Sequence, residues 1–100
     1  MASLPLDYHP EARCEADAAF DYYRERSFKI AEAFYLELER ANAAIRNSPD
    51  SWAAYLHGTR RYLLDQFPFV VVYRVTEQRI EIVAVAHGHR QPGYWADRLR

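Results

Sequence analysis

The chain has 100 residues, half of them apolar and 15% aromatic, with 13 Lys plus Arg against 14 Asp plus Glu. That length suits one domain over 1–100, and the composition excludes a disordered, collagen-like or low-complexity chain. A net charge of −1 excludes a broadly basic nucleic-acid coat, and the lone Cys14 excludes an internal disulfide or a cysteine-based zinc site, pointing to a reducing cytoplasm. No apolar run approaches the roughly 18 residues of a membrane span. The start, Met1-Ala2-Ser3-Leu4, lacks the basic and apolar stretches of a signal peptide.

Leu4, Leu6 and Tyr8 alternate and predict a short first strand. His9-Pro10-Glu11 reads as a helix entry, with proline at the first helical position and an acid in the first turn. Ala12, Ala16, Ala19 and Tyr23 then form one apolar stripe of a helix over about 10–26. A second helix follows Arg26-Ser27, with Ile30, Phe34, Leu38, Ala41 and Ile45 on one face and Lys29, Glu32, Glu39 and Arg46 on the other. Ser48-Pro49 stops it. So short a connection makes the two helices an antiparallel hairpin.

From residue 59 the apolar period drops to two. Arg60 to Leu64, Phe69 to Val75 and Ile80 to Ala86 read as three strands, broken at Asp65-Gln66 and Thr76-Glu77-Gln78. The fold class is α+β: an antiparallel sheet made of the short N-terminal strand and this C-terminal meander, a two-helix hairpin on one face, and a short C-terminal helix opened by Pro92-Gly93-Tyr94-Trp95. In the later strands Phe69, Val71 and Tyr73 alternate with Val70 and Val72, and Ile82, Ala84 and Ala86 with Val83 and Val85. Both faces are therefore apolar, and a solvated face would be polar. The hairpin covers one side. The other needs the C-terminal segment or another polypeptide, and in the latter case the isolated chain would be poorly soluble.

The overall charge hides a split. Residues 1–55 hold six cations and ten acids, a balance of −4, and residues 56–100 hold seven arginines and four acids, a balance of +3. Arginine favours planar, bidentate contacts to carboxylates and phosphates. Antiparallel pairing brings Arg60-Arg61 towards the segment from His87 to Trp95, gathering arginines, imidazoles and aromatics at one sheet edge. Such a cluster suits a nucleic-acid backbone or an acidic protein surface. His87-x-His89, with Asp97 or His57, is too sparse for a metal site. No phosphate loop or nucleophile elbow is present, and neither a cofactor nor a small-molecule substrate is implied.

These motifs resemble the RelE/ParE superfamily of bacterial type II toxins over roughly residues 5–100. His9-Pro10-Glu11-Ala12 resembles its first helix entry. Arg60-Arg61-Tyr62-Leu63-Leu64 with Phe67-Pro68-Phe69-Val70-Val71-Val72-Tyr73-Arg74-Val75 resembles its central hairpin. Ile80-x-Ile82-Val83-Ala84-Val85-Ala86-His87-x-x-Arg90-x-Pro92-x-Tyr94-Trp95-x-x-Arg98 resembles its closing strand and tail. The resemblance implies a growth-inhibiting toxin held in a hetero-oligomer by a cognate antitoxin that folds as it binds.

RelE-like members cut messenger RNA on the ribosome, and for that branch Arg61, Arg90 and Tyr94 are the catalytic candidates. However, Leu63, Asp65 and Val70 fall where those ribonucleases carry basic side chains. The tail His87-x-x-Arg90-x-Pro92-x-Tyr94-Trp95 is more similar to ParE members, which bind and poison DNA gyrase without cleaving anything. On that reading Arg60, Arg61, His87, Arg90, Tyr94 and Trp95 contact the target, the arginines supplying charge and the aromatics contact area.

Overall fold

His9 and Pro10 start the first helix by separate means. In the computed structural model, which describes residues 4–100, the His9 Nδ1 accepts a hydrogen bond from the Glu11 N–H (3.1 Å), and Pro10 opens the helix. Proline's missing N–H costs nothing at that position. This helix, α1 (Pro10–Arg24), is followed by α2 (Phe28–Asn47), whose first turn is capped by the Ser27 hydroxyl accepting from the Ile30 N–H (3.3 Å). Along α2 the buried line runs through Ala31, Phe34, Leu38, Ala41 and Ile45. Ile30, expected on that face, lies outward and is 45% exposed. Counting back from Phe34 at 3.6 residues per turn, Ala31 falls nearer the sheet and takes that place.

Five strands form one sheet in the order β1-β5-β4-β3-β2, with β1 at Leu6–Tyr8, β2 at Ala53–Ala54, β3 at Arg60–Leu63, β4 at Phe69–Val75 and β5 at Ile80–His87. The sheet is mixed rather than antiparallel throughout, because β1 runs parallel to β5, with Leu6 opposite Ile80 and Tyr8 opposite Ile82. Both helices and the strands β2 to β4 lie between β1 and β5 in the chain, so the two can pair in the same direction without a hairpin. β2 was not expected from the sequence. Two alanines carry no alternation, and the strand exists because Ala53 and Ala54 pair with Arg61 and Arg60 across a tight hairpin. His57 (φ 58°) and Gly58 (φ 77°) turn that hairpin in left-handed conformations, readily adopted by glycine and less so by histidine.

A β-bulge decides which residues of β5 face the helices. The register with β4 slips so that Val72 lies opposite Ala84 while Tyr73 lies opposite Ile82, which leaves Val83 as the extra residue. Ile80, Ile82 and Val85 consequently join the helix-side core with Val71, Tyr73, Phe34, Ile45 and the alanines of α1, whereas Val83 and Ala84 lie together on the opposite face with Val72. Strict alternation placed Val83 with Val85 and Ala84 with Ile82, and the bulge reverses that beyond Ile82. The alternation read along Phe69 to Tyr73 is observed.

The second face is covered by the protein's own tail. Trp95, 1% exposed, packs on Val72, Val83 and Ala84, with Tyr55, Val70, Tyr94 and Leu99 around it. Arg74 holds the end of this tail, its Nε donating to Glu81 (2.8 Å) and its Nη1 to the Leu99 carbonyl (2.9 Å). The expected short helix opening at Pro92 is instead a 3-10 turn over Ala96–Leu99. Since this segment meets the need for a lid, the apolar second face gives no ground for poor solubility. Replacing Trp95 by alanine should lower the stability of the isolated chain by about 3–5 kcal/mol, measured as the shift in urea unfolding, because a large buried ring leaves a cavity.

Candidate functional site

Strand alternation separates the two neighbouring arginines of β3. Arg60 turns to the helix side, where its Nη1 donates to the Trp52 carbonyl (2.7 Å), and Tyr62 on the same face packs its ring on Trp52. Arg61 points to the opposite face, exposed, with its guanidinium 4.8 Å from the centre of the Tyr55 ring. Arg90, on the tail, borders the same cavity as Arg61, its guanidinium 3.8 Å from the centre of the Tyr94 ring. Neither guanidinium has a carboxylate partner among the described residues. Both line a cavity of about 270 Å³ walled by Tyr55, Leu63, Val70, Pro92 and Tyr94, with Trp95 at its base. This is the candidate site: two cations without carboxylate partners among the described residues, each stacked on an aromatic ring, on the tail side of the sheet.

Of the residues expected together, Arg61, His87, Arg90, Tyr94 and Trp95 border this cavity, and Arg60 does not. Trp95 is buried, so its part is to hold the segment on which Arg90 and Tyr94 stand. His87 sits at the rim. Its ring packs edge-on against Phe69 on the helix side (5.2 Å between centres), and its Nδ1 accepts from the His89 N–H (3.1 Å). Asp65, where the ribonuclease branch carries a basic side chain, lies in the β3–β4 turn, fixed by its backbone N–H donating to the buried Glu37 carboxylate. Leu63 and Val70 give the cavity apolar walls at the other two such positions.

The residue that sequence reasoning missed is Glu15. Its carboxylate accepts from the Tyr94 hydroxyl (2.6 Å), from Nη1 and Nη2 of Arg98 (both 2.9 Å) and from the Val85 N–H (3.0 Å). Arg98 Nη1 also reaches the Val83 carbonyl (3.0 Å). The only signal was an acid bordering the alanine stripe, between Ala12 and Ala19, where an exposed carboxylate is the ordinary expectation. Burial alone would raise the Glu15 pKa, but the hydrogen bonds from Arg98, Tyr94 and Val85 outweigh it and hold the carboxyl below its usual value. For Tyr94, burial and the bond to Glu15 both push the phenol well above its ordinary range. Tyr94 thus remains a neutral donor, with its ring offered to Arg90 and its hydroxyl taken.

A small mixed sheet with a helical hairpin on one face and an arginine-bearing tail on the other defines the class, and the comparisons name the family. Residues 6–92 match the model of the ParE toxin of type II toxin–antitoxin systems, parDE. The chain is 31% identical over 75 residues to Toxin ParE2 of Mycobacterium tuberculosis, in strain CDC 1551 / Oshkosh and strain H37Rv alike, covering 74% of this chain and 71% of the relative. Its fold matches a solved chain of the chromosomal ParDE TA system from P. aeruginosa with a TM-score of 0.74 at 19% identity, over 85% of this chain and 96% of that one. The chain belongs to the ParE toxin family of type II toxin–antitoxin systems.

The Glu15 carboxylate makes a pH-dependent contribution. Because its folded pKa is depressed, that contribution is present above the unfolded value of about 4.5 and is lost as pH falls through the folded value. Glu15→Gln should therefore destabilise the chain by about 2–3 kcal/mol at pH 7, leaving Arg98 without its bidentate partner. The gap to the unsubstituted protein should narrow in denaturant titrations below pH 4.5.

Proposed function

We propose that this chain is the toxin of a two-protein system that stops growth by binding and poisoning DNA gyrase in the cytoplasm, and that a cognate antitoxin of the ParD kind holds it inactive in a hetero-oligomer. The observation that carries this reading is that Arg61 and Arg90 line one cavity: two exposed guanidiniums on aromatic rings, lacking carboxylate partners among the described residues. Stacked arginines with aromatic neighbours are the composition of a protein-contact hot spot. The relatives named ParE2 and the ParDE system of the solved neighbour support the toxin and its antitoxin. The likeness of the tail to the gyrase-poisoning branch supports the target.

The ribonuclease reading, with Arg61, Arg90 and Tyr94 acting on messenger RNA at the ribosome, has less support. A phenol whose hydroxyl donates to Glu15 and whose pKa is raised is a poor base for a 2′-hydroxyl near neutral pH. Leu63 and Val70 offer no charge to a phosphate in flight. Purified chain should inhibit supercoiling by gyrase. Arg61→Ala and Arg90→Ala should each raise the half-inhibitory concentration by about tenfold, or about 1.4 kcal/mol of contact energy. Codon-specific cuts in a translation extract that disappear with Arg90→Ala would overturn the reading.

A further inference from the structure

α2 buries one line of side chains against the sheet and leaves its opposite side bare. Phe28, Lys29, Glu32, Leu36, Arg40 and Ala43 run along that side, all of them exposed. Phe28 is 66% and Leu36 48% exposed. Two exposed apolar side chains on a surface are ordinary by themselves. Their order among the charges carries the information. Lys29, Glu32 and Arg40 make no ion pair among the described residues, so these charges are free to meet others.

The stripe is complementary to itself about Leu36. Glu32 precedes Leu36 by four residues and Arg40 follows it by four, each about 6 Å away along the helix axis. Phe28 precedes it by eight, and the small Ala43 and Ala44 follow at nearly the same distance. A second copy of α2 laid antiparallel on the first, Leu36 against Leu36, brings each Glu32 level with Arg40 of the other copy. The same register brings each Phe28 level with the two alanines. Opposite charges and large-against-small contacts are thus satisfied together, and a two-fold axis satisfies each of them twice. Parallel packing would set Glu32 against Glu32 and Arg40 against Arg40. Lys29 and Arg40 also balance Glu32 and Glu39, so the stripe is neutral although residues 1–55 carry −4. Two such stripes meet without net repulsion.

We propose that the outward side of α2 is a self-association surface, through which two copies of the toxin pack helix to helix, antiparallel about Leu36. Glu32 and Arg40 set the register, and Phe28 and Leu36 supply the apolar area. A single helix face lies at the small end of specific interfaces, below about 1,200 Å², so the dimer is a weak one with a dissociation constant of about 10 µM. The cavity lined by Arg61 and Arg90 is on the tail side of the sheet, away from the helices, and stays open in both copies.

The test uses the full-length chain without antitoxin, its association followed by sedimentation equilibrium up to about 200 µM, well above the expected dissociation constant. The unsubstituted chain should be a dimer at that concentration. Leu36→Glu should weaken the dimer at least about tenfold and Glu32→Arg at least about threefold, with circular dichroism unchanged. Glu32→Arg combined with Arg40→Glu exchanges the two charges and should return the affinity to within about twofold of the unsubstituted chain, which a contact in another register would not do. A chain monomeric at the top concentration, a smaller loss in either single variant, or a double variant short of that recovery overturns the proposal. If Leu36→Glu alters the dichroism, the charge variants decide alone. A monomer whose Leu36→Glu variant loses affinity for the cognate antitoxin would assign the stripe to the antitoxin, and it too overturns the proposal.

Discussion

β5 runs past the end of β1 by five residues, and the sheet depends on what is done with that exposed edge. A bare strand edge offers unpaired N–H and C=O groups and invites pairing with other chains. Here Glu15 and Arg98 supply the missing partners, to Val85 and Val83 respectively. Because the same two side chains also bind each other, and Tyr94 adds its hydroxyl, closing the edge simultaneously ties the tail to α1. Desolvating a carboxylate and a guanidinium is costly, and only a bidentate geometry with further donors offsets it. The arrangement makes edge protection and tail placement a single event.

The rest of the site follows from that anchor. With Tyr94 fixed, its ring becomes a platform for Arg90, and with Trp95 buried beneath the second face the intervening chain has little freedom. Arg61 arrives from a different strand, aimed by alternation and resting on Tyr55 of the β2–β3 hairpin. The two guanidiniums are thus delivered by independent parts of the fold to one cavity. Rigid placement of a charged pair limits the ordering cost that a flexible pair would face on meeting a partner.

Most of this architecture was legible from periodicity, and its departures have local causes. The helices, the three long strands and the covered second face all follow from apolar spacing and from Pro10, Ser27 and Pro49. Parallel β1 was not legible, because three residues of alternation carry no direction. Nor was the bulge, since Val83 and Ala84 are both compatible with either face and only the pairing with Val72 shows which residue is extra. The same limits apply to the site. Adjacency suggested that Arg60 and Arg61 act together, yet adjacent strand residues face opposite ways. Glu15 showed only as an acid bordering the alanine stripe, because its role arises from contacts 70 to 83 residues away.

The sheet order places β5 between β1 and β4, so the strand that joins the N-terminal strand to the meander is the last one synthesised. A growing chain can make its helical hairpin and pair β3 with β4, but β1 has no strand neighbour and Glu15 no donors until residues 80–98 have left the ribosome. Translation itself therefore imposes a delay between making Arg61 of β3 and bringing Arg90 to the same cavity. The tail side of the sheet is therefore the last part of the fold to be completed, by chain order alone.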